Sequence, residues 1–317
     1  MVVSAAAGGQ SLSQLLGRAV NGVARRSFLF AKAHYKLGLS NPSRTNPVIV
    51  YSVGKVGSSS VAATLEVTLK GRNVAHVHWL RAEQLRADEA YYKRRARDYW
   101  GKRQMSRFMP RYVWLGQQLG HAVKSATPGT VWDVVTLVRD PVARNVSSFF
   151  QDLELMFDFW PAQELKARPV DEIAARLVEM FLDSYVADGS LLEIGGDPLT
   201  WFDAELKPVF GVDVFAKPFP VSRGYDTYSS ANARVLLLRL EDLDRVASTA
   251  FAEFLGATAE KVVQSNDAAG KVYSAVYSRF KRLLALPSEY LDRMYCSSYS
   301  KHFYSEQELA RFRSRWE

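Results

Sequence analysis

Lys55 stands between Gly54 and Gly57 and is followed by three hydroxyl side chains, Ser58, Ser59 and Ser60, in the stretch VYSVGKVGSSS that runs from Val50 to Ser60. A full positive charge, two residues without a Cβ and a row of short donors are the parts of an anion cradle. Its Gly-Ser part, Gly54 to Ser60, follows an apolar β-rich run, Val48 to Val53, and precedes a helical pattern, Val61 to Lys70. A loop so placed also offers backbone N–H groups and the positive end of a helix dipole to the same anion. The magnesium-nucleotide spacing G-x-x-x-x-G-K-[ST] is not met. Ile49 stands where its first glycine belongs, Val56 where its magnesium-binding hydroxyl belongs, and the lysine comes before the second glycine.

Two histidines, His76 and His78, alternate with Val77 in the run Asn73 to Leu80. On a strand both would point to one face. Imidazole accepts a proton near neutral pH, so either suits a general base. His78 is nearer the C-terminal end, where ligands of open parallel sheets collect. Packed core or surface histidines are the other reading of the pair.

These residues require elements to position them. Strand 48–53, the Gly-Ser loop, helix 61–70 and strand 73–80 form a βαβ unit. A third strand, 131–138, ends in Arg139-Asp140-Pro141 and gives way to a helix from about Val142. A fourth, 235–240, ends in Glu241-Asp242-Leu243, which reads as a cap on the next helix. Residues 81 to 126 carry eleven basic and four acidic side chains in a helical context and read as a basic helical insertion. Residues 151–230 read as a helical acceptor-side region and 257–317 as helical, with Ser305 and Glu308 at capping-box spacing. The expected architecture is therefore α/β, three layers around a mainly parallel sheet. It forms one domain, 46–317, preceded by a basic helical extension, 1–45. That extension has Leu12, Leu15, Leu16, Ala19 and Val23 at helical spacing, and suits packing on the domain or contact with an anionic membrane.

At 317 residues and 48% hydrophobic the chain can bury a sizeable core, and its formal charge of +8 favours anionic partners. The single cysteine, Cys296, rules out an intramolecular disulfide. No run approaches the ~20 apolar residues that span a bilayer. Arg18, Arg25, Arg26 and Lys32 interrupt any signal-peptide core, so a cytoplasmic protein, with or without peripheral membrane contact, is expected. No metal-ligand set is evident, and nucleic acid is not an expected partner.

The order K-x-G-[ST]-[ST] after a strand resembles the 5′-phosphosulfate loop of sulfotransferases that use 3′-phosphoadenosine 5′-phosphosulfate (PAPS). A second element carries the resemblance further: LVRDPVARNVSSF, Leu137 to Phe149, has an Arg at a strand end and a Ser eight residues on. It is similar to the family's 3′-phosphate site, and two helical turns allow Arg139 and Ser147 to converge on one phosphate. The run LRLEDL, Leu238 to Leu243, also resembles the family. Together with Lys271-Val272-Tyr273, the loop looks most like bacterial sulfotransferase-like proteins labelled as capsular polysaccharide synthesis proteins.

The resemblance implies a P-loop NTPase-like sulfotransferase fold and a metal-independent transfer of the sulfuryl group from PAPS, leaving the 3′,5′-bisphosphate PAP. The acceptor implied is a hydroxyl of a glycan, such as an acidic polysaccharide, or of another hydroxylated compound. It assigns Gly54, Lys55, Val56, Gly57, Ser58, Ser59, Ser60, Arg139 and Ser147 to the nucleotide, with Lys271 and Tyr273 as further contacts. Lys55 would neutralise charge on the leaving phosphate. His78 ranks first as base, before His121, which lies 18 residues ahead of Arg139 near the family's usual position, and His76. Two other readings stand beside this one: a P-loop-like nucleotide kinase, and a non-enzymatic module for polyanions or membranes.

Overall fold

Val48–Tyr51 is apolar throughout and buried along its whole length, as a strand covered on both faces must be. The computed structural model, which describes residues 46–70, 72–100, 111–157, 159, 161–189, 196–263 and 274–317, makes this run the inner strand β1. The extension expected over residues 1–45, and Lys271 and Tyr273, lie outside the described residues. After β1 come α1 (Ser58–Thr68), β2 (Val74–Val77), α2 (Ala82–Trp100), α3 (Arg111–Lys124), β3 (Trp132–Val138) and α4 (Pro141–Phe157). The helices α5 (Pro161–Ala167) and α6 (Val170–Phe181) follow. Then come a π-helical segment, Leu182–Ala187, a second, Phe202–Leu206, and the short α7 (Lys207–Phe210). The chain returns to the sheet as β4 (Tyr225–Ser229) and β5 (Ala233–Arg239), and ends in α8 (Leu243–Leu255), α9 (Ser274–Leu283), α10 (Ser288–Tyr295), α11 (Ser298–Phe303) and α12 (Glu306–Arg313).

The five strands lie in the order β2-β1-β3-β5-β4. All neighbours are parallel except β4, which pairs antiparallel with β5. The whole of β3 is buried as well, so the sheet is covered on both sides. Right-handed crossovers account for this: β1 to β2 and β2 to β3 step in opposite directions across the sheet, which puts α1 on one face and α2 with α3 on the other.

The α/β class and the mainly parallel sheet agree with the sequence reading, while several details differ. β1 stops at Tyr51, and Ser52 and Val53 already belong to the loop. α1 begins at Ser58 rather than Val61, because the serines themselves form its first turn. The region read as helical over 151–230 contains β4, whose polar, aromatic sequence Tyr-Asp-Thr-Tyr-Ser suits an edge strand with Thr227 and Ser229 exposed. Glu241 and Asp242 do not cap α8. Asp242 makes no side-chain cap bond. Glu241 instead accepts from the Asp140 backbone N–H at 2.7 Å and from the Tyr304 hydroxyl at 3.1 Å, holding the ends of β3 and β5 to the C-terminal helices. The capping box forms at α12, and its Glu308 also pairs with buried Arg239. Among the described residues no helix is long and apolar enough to cross a membrane.

Candidate functional site

The connection after β1 leads to β2 on one side, and the connection after β3 leads to β4, and through it to β5, on the other. Between the C-terminal ends of β1 and β3 the sheet therefore has its switch point, where the two loops part and leave a crevice. The loop Ser52–Gly57 and residue Arg139 stand at that crevice. An Arg139 guanidinium nitrogen donates to the Lys55 carbonyl at 2.9 Å, joining the two. Arg144 reaches the loop from beneath: its Nε donates to the Gly54 carbonyl at 2.9 Å, with its side chain buried.

The loop has an uncommon backbone. Lys55 has φ of 71° and Gly57 of 89°, both left-handed. Gly57 is fixed by the fold, because a Cβ there would lie 2.5 Å from Leu240 Cδ1. Gly54 is not, since a Cβ there would meet only the Arg144 guanidinium, at 4.0 Å. Room for a ligand, rather than packing, is the reading that fits Gly54. At the start of α1 no side chain caps the helix and no acidic residue lies in its first turn, so nothing there competes with an incoming anion.

The helix α4 supplies the opposite wall. Arg144, Ser147, Ser148, Gln151 and Asp152 fall at i, i+3, i+4, i+7 and i+8, one stripe of its surface. Arg144 bonds the loop and Gln151 accepts from Lys55 Nζ at 2.7 Å, so this stripe faces the loop. Ser147 belongs to it and is partly exposed. Asp140 caps α4 by accepting from the backbone N–H groups of Val142 and Ala143 at 3.0 and 3.3 Å. It is thus a structural neighbour of Arg139.

Two proton acceptors adjoin the cradle. The rings of His76 and His78 share a face, with centroids 4.9 Å apart, as their spacing predicts. His76 Nε2 bonds Ser58 Oγ at 2.9 Å, placing it under the first turn of α1. His78 Nδ1 donates to the Ser52 carbonyl at 2.8 Å, which makes Nε2 the acceptor of the neutral ring. Burial lowers the pKa of His78 to about 4, against the opposing pull of that hydrogen bond and helped by the charges of Arg144 and Lys55. Asp152 accepts from Ser148 Oγ at 3.3 Å. Burial pushes its carboxyl up to about 6, while Arg144, Lys55 and the Ser148 bond hold it down. Asp152 is a base candidate on α4 that no motif singled out.

His121 stands apart. It is exposed on α3 and lines a groove of about 820 Å³ with Leu80, Arg81, Arg86, Lys124 and Asn232, away from the loop. Of the loop serines, Ser58 is buried against His76, whereas Ser59 and Ser60 are partly exposed at the helix start. Val56 is fully buried. All that it could offer an anion is its backbone N–H.

The second half of the chain completes the cradle from behind. The Tyr299 hydroxyl, from α11, accepts from the Arg139 N–H at 3.1 Å and donates to the Arg139 carbonyl at 2.9 Å. Glu205 accepts from the Tyr51 hydroxyl and from the backbone N–H groups of Leu80 and Arg81 at 3.1 and 3.3 Å, tying the ends of β1 and β2 together.

Comparison with known proteins finds the model of one family, described as "Putative capsular polysaccharide synthesis protein" (NKWYS), matching residues 192–305. That span, about a third of the chain, includes Glu205, β4, β5 and Tyr299 but neither the loop nor Arg139. No curated protein and no solved structure matches the chain. The capsular-polysaccharide side of the resemblance is thus supported over residues 192–305, and to that family's model this part of the chain is similar.

Proposed function

We propose that the protein is a sulfotransferase that takes its sulfuryl group from PAPS and gives it to a hydroxyl of a glycan. The observation that carries this is the Arg139 guanidinium bonded to the Lys55 carbonyl at the sheet's switch point, which sets two cationic residues and an uncapped helix start around one crevice. These residues fit a ligand with two anionic ends. Gly54, Lys55, Gly57, Ser59 and Ser60 would hold the phosphosulfate, and Arg139 with Ser147 the 3′-phosphate. When bound, PAPS supplies an activated sulfuryl group. A magnesium-dependent kinase is less well served, because the position after Lys55 is a buried valine. The glycan side of the reading rests on the family match over residues 192–305.

In the reaction the acceptor oxygen forms a bond to sulfur as the bond from sulfur to the bridging phosphate oxygen breaks. The acceptor's proton passes to Asp152 or His78, worth about 10²–10⁴ in rate. Lys55, held beside the cradle by Gln151, neutralises the charge that builds on the leaving phosphate. Arg144 adds a buried positive charge under the loop that needs no reorganisation during transfer.

Titration calorimetry with PAP, ADP and ATP with magnesium tests the assignment. PAP is expected to bind most tightly, and Arg139→Ala to weaken PAP while leaving ADP, which lacks a 3′-phosphate, within about twofold. Lys55→Ala is expected to lower transfer by about 100-fold or more, the scale of one lost electrostatic contact to developing charge. Preference for ATP with magnesium would overturn the reading in favour of a kinase.

A further inference from the structure

The groove that holds His121, about 820 Å³ in volume, is built by four stretches of chain. These are the chain leaving β2 with the start of α2, the second half of α3, Pro208 with Val209 of α7, and Asn232 between β4 and β5. The volume lies in the range of about 300–1,000 Å³ typical of ligand sites. One wall is close-packed: a Cβ on Gly120 would lie 2.4 Å from the Leu80 carbonyl oxygen, so α3 lies directly on the chain that leaves β2. Neither the loop, nor Arg139, nor the stripe on α4 lines this groove.

Three cationic side chains, Arg81, Arg86 and Lys124, line it, and Glu83 is the one acidic residue in the lining. Arg81 and Arg86 approach Glu83 at 3.7 and 3.6 Å, exposed pairs that hold their partners weakly. Arg81 is balanced again by the buried Glu205 carboxyl and donates to the Ala204 carbonyl at 2.9 Å, which makes it a structural part. Lys124 Nζ makes no hydrogen bond or ion pair among the described residues. Glu89, outside the lining, accepts from the Gln117 amide at 3.0 Å. With Glu83 and Glu205 both set against the lining cations, the cations are still in excess, and the excess rests on Arg86 and Lys124. The Glu83 carboxyl is held below its usual range by its own backbone N–H and, against desolvation, by the charges of Arg81, Arg86 and Lys124. Residues 1–45 and 101–110, outside the described residues, contain no acidic side chain, so neither segment can supply an anion to the groove.

We infer that this groove is a second anion site, separate from the crevice, and that it holds a stretch of acidic glycan. Its lining has no aromatic side chain on which a base could stack, which disfavours single-stranded nucleic acid. It is concave, and Leu80 and Leu85 in its lining are buried, so it offers no apolar face to a bilayer. Beside the cations it presents amides. The Asn232 side-chain oxygen is taken by the Ser230 hydroxyl at 2.9 Å, which leaves the amide N–H groups for a sugar hydroxyl. Pro208, Val209 and Asn232 also belong to the span similar to the polysaccharide-synthesis family. The anion site itself does not depend on the transfer reading. That the chain held here is the acceptor does rest on it: Arg81 follows His78 by three residues at the end of β2, so the groove starts beside the strand that carries a candidate base.

Titration calorimetry of the full chain, with and without PAP, tests this with four probes: a uronic-acid hexasaccharide, the neutral hexasaccharide of the same backbone, a single-stranded oligonucleotide of equal charge, and anionic phospholipid vesicles. The uronic-acid chain is expected to bind at least tenfold more tightly than the neutral one, with PAP present or absent, and to weaken as salt is raised. Arg86→Gln and Lys124→Gln, both at exposed positions, are each expected to cost about threefold or more in that affinity. Glu83→Gln is expected to raise it about twofold or more, and all three variants to keep PAP affinity within twofold. Equal affinity for the neutral chain, unchanged affinity in the Arg86→Gln, Lys124→Gln double variant, or displacement of the glycan by PAP overturns the inference. Tighter binding of the oligonucleotide or the vesicles, lost in the same double variant, also overturns it and gives the groove to nucleic acid or membrane. If PAP binds and the uronic-acid chain does not, the groove assignment falls and the donor reading stands. If the chain binds as expected and PAP does not, the groove stands and the donor reading falls.

Discussion

Asp152 and His78 offer the same crevice two proton acceptors of different strength, and the difference is measurable. A general base works in its deprotonated form, so the rate rises with pH through its pKa and is flat above it. Burial has moved the two in opposite senses, Asp152 up to about 6 and His78 down to about 4. The pH profile of kcat/KM for sulfuryl transfer, which reports the free enzyme, is expected to show an acidic limb near pH 6 if Asp152 takes the proton. Asp152→Asn should then remove the limb and about 10²-fold or more of the rate. A profile flat from pH 5 to 8, with His78→Gln costing the activity, assigns the role to His78. The histidine pair was legible because two imidazoles two residues apart on a strand must share a face. Asp152 was not, since a lone aspartate in a helix carries no local signature and its environment comes from Arg144, Ser148 and the loop 97 residues earlier.

The loop between β1 and α1 shows how a short element divides its glycines between folding and ligand. Gly57 answers to the fold through its left-handed φ and its contact with Leu240, and Gly54 answers to neither. Gly57→Ala is therefore expected to destabilise the protein by roughly 1–3 kcal/mol, seen as a lower urea midpoint. Gly54→Ala is expected to melt within about 0.5 kcal/mol of the parent and to lose PAP affinity. Loss of stability at Gly54 with retained affinity would reverse the division. The anion-cradle pattern of this element was readable because eleven contiguous residues, Val50 to Ser60, hold all of it. The stripe on α4 was harder, although Arg144, Ser147, Ser148, Gln151 and Asp152 recur at helical spacing among Val142, Val146, Phe149, Phe150 and Leu153, all five of which are buried. β4 escaped because an antiparallel edge strand of five mostly polar residues has neither the apolar run of β1 nor a flanking helix.

The molecule as a whole is stitched by contacts that no local pattern announces. Tyr51 meets Glu205 across 154 positions, and Arg139 meets Tyr299 across 160. The alternation of strands and helices was enough to give the α/β class and the parallel sheet, while these cross-chain bonds depend on where distant side chains end in space. They also bring the segment similar to the polysaccharide-synthesis family into the architecture of a loop that lies outside it. Tyr299→Phe removes one hydroxyl that both accepts from and donates to Arg139. It is expected to cost about 1–3 kcal/mol in chemical denaturation and, by loosening Arg139, to weaken PAP more than it weakens ADP. An equal loss for both ligands would leave Tyr299 a purely structural part.

The bond between Arg139 and Tyr299 also sets a timetable. A ribosome adding roughly 5–20 residues each second delivers Arg139 on the order of ten seconds before its hydroxyl partner, and β3 waits almost as long for the pairing with β5 that spans about a hundred residues. During that interval the nascent chain carries the whole loop between β1 and α1 yet has an open sheet edge, and the Arg139 backbone lacks its hydroxyl partner. The Arg139 side of the crevice is thereby completed only after α11 has been made, and until β5 arrives the edge of β3 stays open to unwanted pairing.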